Sequence, residues 1–334
     1  MTEMKNKFGN ITKWSAFPSL ILMLAFFVLN IFMTDNFLSM NFMTGFFAAN
    51  TPLICVSIGV GVVMMAGGID ISLGGMVCLV NVCFAMMIEA GVNSGVAVLL
   101  CVLLAIGMGA LNGLIVGFLR VSPMLATFAA SSIYAGLALW LMPLPGGSIP
   151  SSFTTVYNNA FLGIPFPVFI IALVLVLAKL IQYSRFGTNI MASGQNEQKA
   201  YVSGIHVDRV RFFTYVFAGL CAGIAGLAIS ANSGGGDSRV GLTLSLNSLA
   251  ACVIGGISLA GGKGDAWGAV FGALFLQMVT TVVLATGVSS FYQDFIKGII
   301  LLLGTLGSII LSTRTEKSLL KAPQRLELNK EEGK

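Results

Sequence analysis

The sequence predicts an all-α protein: a polytopic membrane helical bundle with about ten transmembrane helices and both termini in the cytoplasm. Three observations support this fold class. Apolar residues make up 56% of the 334 residues and charged residues only 9%, apolar runs recur through most of the chain, and Lys and Arg fall between those runs. So few charges cannot cover a water-facing surface, and the bilayer is therefore the main solvent of this chain.

The apolar runs set the positions of the helices. A hydrocarbon core about 30 Å thick needs about 20 apolar residues per helix. Spans are expected near residues 14–33, 46–66, 74–90, 95–118, 122–142, 162–181, 211–231, 243–260, 266–288 and 294–312. Helices are required because lipid offers no partners to backbone N–H and C=O groups. We therefore expect one transmembrane domain over residues 14–312, a cytoplasmic N-terminus over 1–13 and a cytoplasmic tail over 313–334.

The cations set the orientation. In the ten-helix arrangement 16 of the 18 Lys and Arg residues fall on one side, and only Arg239 and Lys297 fall on or near the other. Positive charge favours the cytoplasmic side, which places both termini there. The outer connections are then 34–45, 143–161 and 232–242, and the main inner connection is 182–210.

Composition and motifs exclude several function classes. The six cysteines lie in apolar stretches without a C-x-x-C pair, and His206 is the single histidine, so neither a metal site nor a catalytic relay is expected. The cations do not cluster with interleaved aromatics, which argues against a nucleic-acid partner. The phrase G-I-S-L-A-G-G-K-G at 256–264 resembles a P-loop, but its lysine is one place late and Gly264 replaces the Ser or Thr that binds magnesium. The chain is therefore not expected to be an enzyme.

If this membrane chain moves a solute, the energy must come from another subunit or from an ion gradient. An ion-coupled carrier needs ionisable groups at membrane depth. The acids closely flanked by long apolar runs are Asp70, Glu89 and Asp294, and the last two fall at predicted outer helix ends. A secondary transporter that titrates Asp70 stays an alternative, as does a membrane scaffold with no transport role.

A glycine-rich phrase surrounds Asp70. In A-G-G-I-D-I-S-L-G-G at 66–75, four glycines interrupt an apolar stretch, which predicts either a helix break along a substrate path or a tight cytoplasmic turn with Asp70 as a helix N-cap. A related phrase, G-G-I-S-L-A-G-G, returns at 255–262. Polar residues in or near the spans could face the path or bond to neighbouring helices. The candidates for the path or its gating are Asp70, Ser72, Asn112, Asn247 and Ser258.

Four phrases in order resemble the ribose/xylose-type permease family of bacterial ABC importers. They are G-G-I-D-I-S-L-G at 67–74, L-N-G at 111–113, R-F-G…G-Q-N-E…S-G-I between 185 and 205, and V-I-G-G-I-S-L-A-G-G-K-G at 253–264. The resemblance covers most of the chain. One departure concerns Ser245 and Asn247, which stand where relatives usually carry an acidic pair.

The resemblance implies a multi-pass permease of the bacterial inner membrane that imports a small polar solute, most simply a monosaccharide. It implies three partners in addition to membrane lipid: a cytoplasmic ABC ATPase, an external or periplasmic solute-binding protein, and a second permease subunit. ATP and Mg would bind to the ATPase, so this chain needs no cofactor of its own. A nucleoside or a furanone-like signal is an alternative solute, whereas a branched-chain amino acid fits the motifs poorly.

The resemblance also assigns residues 182–210 to a cytoplasmic coupling loop that docks on the ATPase. The positions that match the family's loop are Arg185, Gly194, Asn196, Glu197, Gly204 and Ile205.

Overall fold

The computed structural model describes residues 14–287 and, beyond them, Tyr292, Phe295, Gly298, Ile299 and Leu302. Residues 14–287 are mostly helical. The helices are α1 Phe17–Met33, α2 Met40–Met65, α3 Leu73–Glu89, α4 Ser94–Gly113, α5 Pro123–Leu141, α6 Ser151–Tyr157, α7 Phe166–Tyr183, α8 Arg185–Gln195, α9 Glu197–Val202, α10 Val207–Ser233, α11 Leu242–Ile254 and α12 Ala266–Ala285. A π-helical turn, Leu114–Phe118, continues α4, and two short strands, β1 Ala160–Phe161 and β2 Ile164–Pro165, form an antiparallel hairpin.

The first nine predicted spans coincide with helices of the structure, with shifts of a few residues at their ends. Six of the described helices are long and apolar enough to cross a membrane, namely α2, α4 with its π-helical turn, α5, α7, α10 and α12. Helices α1, α3 and α11 are apolar but shorter. The predicted span 294–312, the N-terminus 1–13 and the tail 313–334 lie outside the continuously described residues. The polytopic helical fold is thus confirmed, whereas the count of ten and the positions of the termini stay predictions.

Helices α2 and α10 form the centre of the bundle. Most side chains of α2 are buried, and α10 packs against α2, α3 and α4. Helices α4, α5 and α7 are instead largely unburied and carry many exposed apolar side chains. Such mainly apolar outer faces suit contact with lipid. Helix α1 packs on α12, where Asn30 Nδ2 donates to the carbonyl of Met278 at 3.1 Å.

Glycines set the closest helix contacts. A Cβ on Gly109 of α4 would lie 3.0 Å from the Cα of Gly219 in α10, and a Cβ on Gly113 would lie 2.8 Å from the carbonyl oxygen of Phe212. The small-residue spacing in these two helices therefore brings their backbones together, as in other membrane bundles.

Two connections differ from simple loops. Residues 182–210 fold into α8, α9 and the start of α10 rather than an irregular connection. Residues 232–242 were expected to be an outer loop, but residues 236–241 pack alongside α3 instead. Short glycine-rich stretches carry no helical period, so hydropathy cannot distinguish a surface loop from an irregular segment packed on another helix.

Candidate functional site

The chain leaves its helical path at two glycine-rich segments, which we name the first break (residues 66–72, between α2 and α3) and the second break (residues 255–265, between α11 and α12). Gly67 has φ +80° in the first break, and Gly256 and Gly261 have φ +79° and +83° in the second. Side chains disfavour this region of backbone space, so glycine permits the chain to turn there. Each of the two related glycine phrases therefore contributes to a break between helices.

The first break encloses Asp70. Its side chain is fully buried, and Oδ1 accepts hydrogen bonds from the amide of Ser72 at 2.8 Å and from its hydroxyl at 2.5 Å. Asn112 Nδ2 donates to Ser72 Oγ at 2.7 Å, and the hydroxyl of Tyr134 donates to Asn112 Oδ1 at 3.3 Å. Three predicted path residues, Asp70, Ser72 and Asn112, are thus brought together by one buried network.

One carboxylate oxygen of Asp70 takes no part in this network. Oδ2 of Asp70 is buried and has no hydrogen-bond partner among the described residues. Buried carboxylate oxygens without a hydrogen-bond partner are uncommon in folded proteins. Asp70 does bond to the start of α3, but through Ser72, which itself occupies the N-cap position.

Neighbouring helices hold the rest of the first break. The carbonyl of Ile69 accepts from the hydroxyls of Thr127 and Tyr215 at 3.3 and 3.4 Å. Ser245 of α11 accepts from the amide of Gly74 at 2.9 Å, and its hydroxyl donates to the carbonyl of Ile71 at 2.6 Å. Ser245 therefore joins α11 to the first break.

The second break is more open. Ser258 is partly exposed, and Leu259 and Ala260 are exposed. The amide of Ser258 donates to the carbonyl of Lys263 at 3.0 Å, and its hydroxyl accepts from the amide of Ala260 at 3.2 Å, so this predicted path residue organises a turn. Asn247 lies one helix earlier, in α11, and is partly exposed.

Helix α8 ends between the two breaks. A Cβ on Gly194 would collide with the carbonyl oxygen of Met65 and would lie 2.5 Å from the amide nitrogen of Gly262. The breaks also touch each other, because a Cβ on Gly261 would lie 2.7 Å from the Cα of Gly67. The amide of Gly262 donates to the carbonyl of Met65 at 3.0 Å. Gly67, Gly194 and Gly261 therefore form one backbone junction, which we name the glycine junction.

One ion pair joins the 182–210 connection to α10, and a second ion pair beside the start of that connection joins α7 to the second break. Arg211 of α10 donates to both carboxylate oxygens of Glu197, at 3.2 and 2.7 Å. Before α8, Lys179 pairs with Asp265 of the second break at 2.6 Å, and Asp265 also accepts from the indole N–H of Trp14 at 3.0 Å. Arg211 and Lys179 are both mostly buried, so these pairs are held more rigidly than surface pairs. Sequence patterns did not single out Arg211 or Lys179, because neither residue lies in a recognisable motif.

The remaining coupling candidates lie at the surface of this connection. Asn196 caps α9 by accepting from the amide of Lys199 at 2.9 Å, and Gly204 has φ +82° at the turn into α10. Arg185 is exposed and Ile205 is half-buried. Beside them α9 presents Tyr201 and Val202, whose exposed fractions are 66% and 87%. The structure thus adds an exposed apolar pair that sequence reasoning had not selected.

A polytopic helical bundle in which two helix breaks meet each other and the end of a short connecting helix has the features of a membrane permease. A sequence model of the family described as "Branched-chain amino acid transport system / permease component" matches residues 41–305. The chain therefore belongs to this permease family. It is the membrane-spanning permease subunit of an ABC importer and a multi-pass protein of the inner membrane.

Individual members of known importers are also similar to this chain. The chain is 31% identical over 290 residues to the autoinducer 2 import system permease protein LsrC of Yersinia enterocolitica, covering 85% of this chain and 79% of the relative. It is 32% identical to LsrC of Salmonella paratyphi B, covering 85% and 83% of the two chains. For LsrC of Photorhabdus luminescens the identity is 31%, with coverage of 85% and 86%. No solved structure matches the chain.

Proposed function

We propose that this permease has ten membrane spans with both termini in the cytoplasm and that it imports a small, neutral, oxygen-rich solute of the monosaccharide type. It pairs with a second permease subunit, receives the solute from an external binding protein and is driven by a cytoplasmic ABC ATPase. The ATPase carries ATP and Mg, and this chain performs no chemistry.

The observation that carries the coupling mechanism is the glycine junction. It brings the end of α8 into backbone contact with both helix breaks. A movement of α8 must therefore displace the breaks, since no side chain stands between them that could rotate aside. This makes the 182–210 connection the element by which ATP-driven closure of the ATPase would reach the membrane helices.

The docking surface for the ATPase would be the outer side of this connection. Tyr201 and Val202 supply an exposed apolar contact, and Arg185 and Asn196 supply polar groups around it. An apolar centre with a polar rim is the usual composition of a protein interface. The Arg211–Glu197 and Lys179–Asp265 pairs would keep the surface in register with the bundle.

Autoinducer 2 is the second solute candidate. The relatives named above import it, and their similarity extends over most of both chains. The family description names branched-chain amino-acid systems instead, so family membership alone covers more than one solute class. A nucleoside fits the same neutral, hydroxylated chemistry as a sugar.

Uptake by proteoliposomes tests the proposal. The permease is reconstituted with its ATPase and binding protein, and uptake of pentoses, hexoses, a nucleoside, leucine and autoinducer 2 is measured with ATP inside, with and without a proton gradient. We expect uptake that needs ATP and all components and is indifferent to the gradient. Gradient-driven uptake by the permease alone, abolished in Asp70→Asn, would instead establish the ion-coupled alternative.

A further inference from the structure

The segment between α10 and α11 runs along α3 towards the breaks. The amide of Gly146 donates to the carbonyl of Gly236, and a Cβ on Gly236 would lie 2.8 Å from the Cβ of Ala85. The amide of Gly241 then donates to Cys78 Sγ at 3.2 Å. Ser245 of α11 then bonds to the carbonyl of Ile71. Between Gly236 and Ser245 the chain therefore passes from the level of Ala85 to that of Ile71, about 20 Å along the helix axis.

Asn81 fixes this segment with side-chain hydrogen bonds. These bonds take the place of a helical hydrogen-bond ladder. Its Nδ2 donates to Ser230 Oγ at 2.7 Å and to the carbonyl of Gly235 at 3.2 Å, and its Oδ1 accepts from the amide of Asp237 at 2.6 Å. Irregular backbone at membrane depth needs such partners or water. Helix α11 therefore begins within the bundle rather than at the membrane surface.

Arg239 lies on this segment at the level of the middle of α3. Its neighbours Asp237 and Gly241 are fixed to Asn81 and Cys78, and its own side chain is exposed. Ion pairs within residues 14–287 involve Arg120, Lys179 and Arg211 but not Arg239. An unpaired guanidinium facing hydrocarbon is costly, and charged side chains at this depth face a water-filled cavity or a partner.

Arg239 is also the first member of a polar row. Thr243 and Asn247 follow at intervals of four residues, so they lie on one side of α11 and of the turn that precedes it. Thr243 is exposed and Asn247 partly exposed, whereas Ser245 and Ser248 on the other side are buried against the bundle. The row offers a guanidinium, a hydroxyl and an amide, which together present both donors and acceptors to the hydroxyl groups of a polyhydroxylated solute.

We propose that Arg239, Thr243 and Asn247 line the solute path and contact a neutral polyhydroxylated solute. A second permease copy closes the path on the open side of the row. This assignment rests on the proposed import function and names the residues that recognise the solute. It also explains why a cation departs from the cytoplasmic side, where nearly all the others lie.

Labelling of single cysteines tests whether the row faces water. Thr243→Cys and Asn247→Cys are compared with Leu173→Cys and Val176→Cys, whose positions on α7 are 57% and 54% exposed but surrounded by apolar residues. The assembled importer is treated with the charged reagent 2-sulfonatoethyl methanethiosulfonate, and the unsubstituted chain corrects for its native cysteines. Because the thiolate forms in water and not in lipid, we expect the row to react at least about tenfold faster.

Two results of this experiment would overturn the assignment. One is equal labelling of the row and the α7 positions, which would mean that the row faces lipid or packed protein. The other is labelling of the row that is slowed by leucine and not by any pentose, hexose or autoinducer 2, which would exclude a polyhydroxylated solute. Slowing by a sugar or by autoinducer 2 supports the assignment.

Transport by Arg239 variants tests the contact itself. We expect Arg239→Gln to lower uptake by about tenfold or more, as loss of a charge-assisted bond predicts, with ATP hydrolysis stimulated by the binding protein as before. Arg239→Lys should retain part of the uptake. Unchanged uptake in Arg239→Gln, or joint loss of uptake and hydrolysis, would remove Arg239 from the path. Wild-type uptake in the same vesicles tests the proposed function separately.

Discussion

The two helix breaks share a glycine-rich phrase but are held in different ways. The first break is stabilised by buried side chains from several helices, and Asp70 at its centre is fully enclosed. The second break exposes Leu259, Ala260 and Lys263 in a turn held by its own backbone, while Gly261 and Gly262 pack on the first break and on α8. Related local sequences therefore make a fully enclosed element in one half of the chain and a partly exposed one in the other. What surrounds the phrase, rather than the phrase itself, decides its role.

The largest expected effect comes from the point where the two breaks meet. Gly194→Val places a side chain against the backbone of Met65 and Gly262. Overpacking of this kind costs about 1–3 kcal/mol, so we expect uptake to fall by about tenfold or more. Gly107→Ala is the control, because it adds a Cβ to another helical glycine with nothing within 4 Å. Normal uptake in Gly194→Val would show that the two breaks move independently of α8.

Substitutions in the two breaks should differ in how much they lower the free energy of unfolding. Asp70→Ala leaves the buried amide and hydroxyl of Ser72 without their acceptor, which costs about 1–3 kcal/mol. Ser258→Ala removes an acceptor in an exposed turn and should cost less than about 0.5 kcal/mol. Thermal melting of the purified permease measures both, with Asp70→Asn as an intermediate that keeps Oδ1. Equal decreases in Tm would mean that the two breaks do not differ as described.

The Arg211–Glu197 pair should have a moderate effect on coupling. The carboxylate is 43% exposed, so the pair is worth about 1 kcal/mol despite its two hydrogen bonds. We expect Glu197→Gln to reduce ATP-driven uptake by about fivefold. The double variant Glu197→Arg with Arg211→Glu should recover part of the loss. Failure of the exchange to recover any uptake would indicate that Glu197 acts on the ATPase and not through Arg211.

The smallest effect is expected at the exposed pair between Arg120 and Asp208, whose atoms are 3.5 Å apart. Surface pairs contribute about 0–1 kcal/mol. Asp208→Asn should therefore leave both Tm and uptake unchanged within error. A clear loss of uptake would place a second ATPase contact at the start of α10.

Much of the helical arrangement follows from the sequence, because lipid makes apolar length a strong signal. The first glycine phrase also predicted an interruption between two helices, but the predicted span 243–260 ran into the second break, because the helix there ends at Ile254. Asn81 shows what hydropathy cannot reveal: its hydrogen bonds reach residues 230, 235 and 237, far away in the chain. Hydropathy likewise places Arg239 in an outer loop, because it cannot reveal that the segment around Arg239 packs on α3. The grouping of Asp70, Ser72 and Asn112 likewise depends on helix packing that one sequence does not encode visibly.

The glycine junction has a mechanical consequence. Side chains at most helix contacts can change rotamer and so absorb a displacement of part of an ångström. Where Gly67, Gly194 and Gly261 meet, only backbone touches backbone, and this compliance is missing. A displacement of α8 therefore either moves both breaks by the same distance or breaks the contact between them. If the proposed ATPase displaces α8, the two breaks should therefore be displaced by nearly the same distance.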